Sequence, residues 1–138
     1  MIWFNCTIKY QKLNEEGILQ PVSEQLLVNA LNFTEVENKI IASKSEEIRG
    51  EFFITRISKD NLEDIVKTGS EDYWFKAKVI IVDITDSGKE KKFTKFFYIS
   101  SFNFVKATEE MEKYLKNAYL VDCYINSLSL TKITTIIG

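Results

Sequence analysis

The chain has 138 residues, 45% of them hydrophobic and 13% aromatic, with a formal net charge of −2 and no histidine. That balance excludes a disordered chain and a generally basic nucleic-acid binder, and the length is enough to bury a core without disulfides or metal. Without imidazole there is no Ser-His-Asp triad, no histidine-ligated metal and no imidazole proton shuttle within the chain.

The first predicted element is a strand at the start of the chain. Ile2, Phe4, Cys6, Ile8 and Tyr10 alternate with Asn5, Thr7, Lys9 and Gln11, the period-two pattern of a half-buried strand. The turn Asn14-Glu15-Glu16-Gly17 follows, with glycine available for positive φ. A second strand is expected over 22–30. A helix is expected from Thr34, with Thr34 and Glu37 as a capping-box pair and Phe33, Val36, Ile40 and Ile41 as its apolar stripe. A third strand is expected over 51–57.

Residues 59–72 read as a linker with a short helical pattern at Leu62, Ile65 and Val66. The same order then begins again. Phe75, Ala77, Val79 and Ile81 alternate along a strand whose other face runs from Trp74, Lys76 and Lys78 to Ile80, Val82 and Ile84. The end of this strand is expected to be buried on both faces. Asp86-Ser87-Gly88 is the second turn, and a strand is expected over 93–102. Phe104, Ala107, Met111, Leu115 and Ala118 mark a second helix, here without the capping box because Val105 stands in place of threonine. A last strand is expected over 122–130. The tail Ile133, Ile136 and Ile137 is apolar and is expected either to pack on the body or to serve an oligomer contact.

A shift of 71 residues aligns the halves without a gap: Trp3-Phe4 with Trp74-Phe75, Gly17 with Gly88, Asn32-Phe33 with Asn103-Phe104, Ile54 with Ile125 and Ser58 with Ser129. The expected fold is therefore one α+β domain. It consists of a tandem ββαβ repeat (1–58 and 73–138) related by a pseudo-twofold axis, mainly antiparallel, with one helix per repeat. Spacing leaves open whether the strands form one sheet, two sheets or a barrel.

These segments resemble an uncharacterised family, a domain of unknown function of Bacteroidetes bacteria and their crAss-like phages. The resemblance rests on Trp3-Phe4, on 27–37 with its Asn32-Phe33-Thr34-Glu35, on 73–79, on Ser87-Gly88-Lys89-Glu90-Lys91-Lys92 and on 127–133. It implies a small cytoplasmic protein of a gut bacterium or its phage, and it carries no functional residue with it.

Five constellations stand out in the sequence. Lys89, Lys91, Lys92 and Lys95 on the second hairpin, with Lys76 and Lys78 on its neighbouring strand, form a basic set. With Phe96, Tyr98 or Trp74 interleaved, such a set has the ingredients of single-strand nucleic-acid binding. Its bland alternative is a solvated hairpin diluted by Asp83, Asp86 and Glu90. Trp3 and Trp74 are candidate partner contacts, or else core packing common to both repeats. Gly88-Lys89 is not a phosphate loop, because the upstream glycine is missing and Glu90 follows the lysine. Glu46, Glu47, Glu109, Glu110 and Glu112 read as solvated helix faces, so no catalytic residue, metal or cofactor is expected. Cys6 and Cys123 sit in apolar runs and are expected to be reduced. No apolar run is long enough to span a membrane and no signal peptide is visible, so the cytoplasm is the expected compartment. The function expected is a non-catalytic binding or adaptor module with a protein partner or a second copy of itself. Nucleic-acid association through the second-repeat lysines is the alternative.

Overall fold

The computed structural model describes residues 2–69 and 73–138; residues 70–72 of the expected linker lie outside this description. The chain is α+β, with eight strands and two helices among the described residues: β1 (Ile2–Leu13), β2 (Leu19–Ala30), α1 (Phe33–Lys44), β3 (Phe52–Lys59), β4 (Leu62–Val66), β5 (Tyr73–Ile84), β6 (Glu90–Ser101), α2 (Phe104–Ala118), β7 (Asp122–Leu130) and β8 (Ile133–Ile137). The strands form two mixed four-stranded sheets, ordered β3-β1-β2-β8 and β4-β6-β5-β7. The chain divides into two compact units, 1–60 with 132–138, and 61–131.

In the first unit β1 and β2 make a long antiparallel hairpin, from Ile2 opposite Ala30 to Leu13 opposite Leu19. Its turn is closed by Gly17 N–H donating to the Asn14 carbonyl at 3.1 Å, with Gly17 at φ 79°. Gly88 has the same φ of 79° and closes the β5–β6 turn by donating to Thr85. A side chain at either glycine would occupy the left-handed region that L-residues avoid. The expected alternation holds: Phe4, Cys6 and Ile8 are buried with Leu26, Val28 and Ala30, and Val36 and Ile40 of α1 cover them. In the second unit Phe75, Ala77, Val79 and Ile81 are buried with Phe97 and Ile99 under Ala107, Met111 and Leu115 of α2.

Three local expectations are corrected. Residues 62–66 are not helical: β4 pairs in parallel with β6. Five residues are too few to separate a helical from an extended period, and the apolar Leu62, Ile65 and Val66 suit both. Helix α1 starts at Phe33, one residue earlier than expected, and neither helix is capped by a threonine. Their N-caps are Asn32 and Asn103, whose side-chain oxygens accept from Glu35 N (2.9 Å) and Lys106 N (2.8 Å). Asparagine caps as well as threonine does, and here its extended backbone is already set by the preceding strand. The end of β5 is not buried on both faces, since Ile84 is exposed and Ile80 and Val82 are half-buried. The apolar tail, whose placement was open, forms β8 and pairs in parallel with β2 of the first unit.

Candidate functional site

The β5–β6 register distributes the six lysines over two faces. Opposed residues of an antiparallel pair share a face. Lys76 opposes Tyr98, Lys78 opposes Phe96, and Lys92 opposes Val82, all on the face turned away from the α2-covered core. Lys91 opposes Asp83 and Lys95 opposes Val79, on the face that carries that core. Lys89 lies at the hairpin turn, where its carbonyl accepts from Thr85 N–H.

Their partners divide them further. Lys95 Nζ lies 3.1 Å from Glu63 Oε1. Lys76 Nζ sits over the Phe96 ring at 4.8 Å and the Tyr98 ring at 5.6 Å. Tyr98 is only 1% exposed, so its ring face is closed to a stacking base. The basic–aromatic pair open at the surface is Lys91 over Phe93, at 5.2 Å, with Phe93 40% exposed.

Trp74 is buried at 7% exposure and Trp3 is half-buried. Their carbonyls do matching work at the strand ends. Trp3 O accepts from Asp60 N at 2.9 Å, and Trp74 O accepts from Thr131 N at 2.9 Å and from Thr131 Oγ1 at 2.7 Å. Among the described residues no cluster of three or more Cys, Asp or Glu could hold a metal ion.

The geometry brings together a different set of residues, along α2 and β7. Ala107, Met111 and Leu115 turn α2 into the core, which leaves Thr108, Glu112 and Lys116, four residues apart, in a row on its flank. Facing them are Tyr119 and the half-buried Cys123, Ile125 and Leu128 of β7. Between the two elements runs a cleft of about 710 Å³. The Cys123 thiol is pushed up, first by burial and then by the Asp122 carboxylate beside it, so it is not an activated nucleophile.

Along this cleft β7 is the last strand of its sheet. Its pairing with β5 skips Asn126, between Lys78–Ser127 and Val79–Ile125. Such a strand presents unpaired N–H and C=O groups on its outer side. Natural edges are commonly guarded by charge, and β3, the outer strand of the first sheet, carries Arg56 and Lys59. β7 holds no Lys or Arg, and its single acid is the first residue, Asp122. The two remaining sheet edges hold short strands of the chain itself, β4 on β6 and β8 on β2.

Of the α2–β7 residues the sequence singled out only Glu112, as part of a solvated helix face, and Cys123, as a reduced thiol in an apolar run, and neither as part of a site. The one signal that could have found them is the uncharged run from Cys123 to Thr131, nine residues in a chain that is 28% charged.

The model of a protein family, described as a domain of unknown function (DUF4494), matches residues 2–138. No curated protein and no solved structure matches the chain.

Proposed function

The chain belongs to the DUF4494 family of domains of unknown function, and from its geometry we propose that it is a non-catalytic binding module that takes up an extended segment of a partner protein along β7. The observation that carries this reading is an outermost strand free of cationic guards, beside a helix-walled cleft. Strand addition supplies main-chain hydrogen bonds, and alternate side chains of the guest enter the cleft, which sets specificity. The row Thr108, Glu112 and Lys116 would contact those side chains. The reading gains support from the molecule's own habit: two five-residue strands, β4 and β8, are held at sheet edges in this manner. Pairing of β7 with β7 of a second copy uses the same chemistry and is the self-association form of the proposal.

The test is selection of peptides from a random displayed library on the full chain, followed by NMR mapping. Bound peptides are expected to shift the amides of 122–130 and the flank of α2. Tyr124→Lys with Ser127→Lys, which gives β7 the guards that β3 has, should weaken binding about tenfold or more. Peptides that map elsewhere, or that bind the double variant unchanged, overturn the reading. A chain that dimerises through β7 without added peptide selects the self-association form.

Nucleic-acid association is the alternative, and what favours it is the Lys91–Phe93 pair with Lys89 and Lys92 at the hairpin end. We further infer a cytoplasmic, bacterial or phage origin, supported by the family resemblance and by the free thiols Cys6 and Cys123. The described residues include no helix long and apolar enough to cross a membrane. The tandem-repeat origin of the two units is likewise a proposal, supported by the 71-residue offset from Ile2 to Tyr73, Leu19 to Glu90, Phe33 to Phe104 and Leu62 to Ile133.

A further inference from the structure

In the first unit, the turn end of the β1–β2 hairpin and the segment 49–51 that leads into β3 enclose two adjoining cavities, of about 660 and 410 Å³. Both are lined by Tyr10, Gln11, Leu19 and Arg49. Cavities of roughly 300–1,000 Å³ are the size that takes small molecules. Much of the lining is apolar. Leu13, Leu19 and Phe53 belong to it and stand exposed to water. Large apolar side chains gathered in water around a hollow mark a contact surface.

Three cations line the same space, Lys9, Lys12 and Arg49. Among the described residues none of the three has an ion-pair partner. The lining holds two carboxylates, Glu47, which lies 3.0 Å from the Lys44 ammonium, and Glu51. The local balance is positive in a chain whose net charge is −2. The fold does not demand that charge. In the second unit a cavity of about 300 Å³ is lined by Asp83, Ile84, Glu90, Leu120 and Asp122, with no Lys or Arg among its described lining residues. At the 71-residue offset Leu120 stands where Arg49 does, Asp83 where Lys12 does and Glu90 where Leu19 does. The same strand-and-loop frame thus carries a basic hollow in one unit and an acidic one in the other.

We propose that the cavity pair of the first unit binds a small monocarboxylic acid with an apolar body. Arg49, common to both cavities, would take the carboxylate on its guanidinium, whose planar fork matches two carboxylate oxygens. The apolar body would lie against Leu19, Val22 and Phe53. Lys9 and Lys12 add attraction without a fork. A phosphate monoester suits the site less well. Its second negative charge would be repelled by Glu51, and the described lining offers no helix N-terminus to cradle it. The proposal does not rest on peptide capture by β7.

The test is NMR titration of the full chain with phenylacetate and with 4-methylpentanoate. Phenylacetamide is the uncharged match and inorganic phosphate the alternative anion. The two acids are expected to shift the amides of 9–13, 19–23 and 49–53 and to saturate by about 10 mM, with phenylacetamide and phosphate about tenfold weaker or silent. Arg49→Leu installs the residue found at position 120, so the fold is expected to persist, and it should weaken both acids about tenfold or more. Arg49→Lys keeps the charge but not the fork and should fall between. The absence of saturable shifts overturns the proposal, as does equal binding of phenylacetamide or phosphate, or unchanged binding in Arg49→Leu. Shifts confined to 122–130 overturn it as well and leave the β7 reading standing.

Discussion

The Phe104 ring stands edge-on to Phe75, with centroids 4.8 Å apart, although Phe104 is the first residue of α2 and about half exposed. Phe33 meets Phe4 in the first unit with centroids 5.3 Å apart and rings tilted at 56°. Each helix is thereby tied at its first residue to a buried ring of the sheet beneath. Truncation of a buried phenylalanine costs about 3–5 kcal/mol, and an aromatic pair adds about 0.5–1.5 kcal/mol. At half burial, Phe104→Ala should cost about 2 kcal/mol. Val105→Ala, at the neighbouring exposed position, should stay within about 0.5 kcal/mol of the parent. Urea unfolding of the two variants measures the difference.

The asparagine caps are a second target. Asn32→Ala and Asn103→Ala each remove the acceptor for an otherwise orphaned backbone N–H and should cost about 1 kcal/mol, whereas Asp at either position should be neutral. Thr34→Ala should change little, because the cap lies two residues earlier. If Thr34→Ala proves the more damaging change in thermal melts, the cap assignment fails.

The caps also show what the sequence reveals and what it conceals. The long strands were legible because Phe4, Cys6, Ile8 and Phe75, Ala77, Val79 alternate without exception, and one face of each sheet is covered by a helix. β4 was concealed because its pairing partner is remote: Ile65 is read as extended only once it lies beside Tyr98. The strand register divides the lysine set between two faces. Lys91 and Lys92 are neighbours in sequence but point to opposite faces of a strand. The β7 cleft was concealed because a missing charge is a weak signal until the strand is known to be outermost.

Thiol chemistry separates the two cysteines. Cys6 is fully buried and its thiol is pushed up to about 11 by burial. Cys123 is half-buried and raised as well. Thiolate is the reactive form, so at neutral pH the native chain should react slowly at Cys123 and not at Cys6. In denaturant both should titrate. A timed reaction with a chromogenic disulfide decides it; two equally fast thiols in the native chain would contradict the packing around Cys6.

Alkaline stability follows from Tyr114, pushed up to about 12 by burial first and then by its hydrogen bond to Asp64 and that group's charge. A raised phenol keeps its proton in the folded chain after the unfolded chain has lost its own. Its contribution is therefore complete below pH 10 and is lost as pH rises from 10 toward about 12. Tyr10 and Tyr119 are raised in the same direction, burial again leading. Melting temperatures should fall across that window, and Tyr114→Phe should flatten the fall. An unchanged slope in Tyr114→Phe would assign the effect to the other tyrosines.

Lys44 is the severest single test of the first unit. Its side chain is 4% exposed, on the last residue of α1, and its ammonium bonds Glu47 and Thr135 while facing Glu24. In the second unit Leu115 stands 71 residues on and is buried in the core, so an apolar side chain fits the equivalent place on the helix. Lys44→Met should nonetheless cost about 2–4 kcal/mol, because it leaves Glu24 confined without its cation and Thr135 without its donor. Adding Glu24→Gln removes the stranded charge and should recover more than half of the loss. A measured coupling near zero in that double-mutant cycle would mean that Lys44 acts through Glu47 and Thr135 alone.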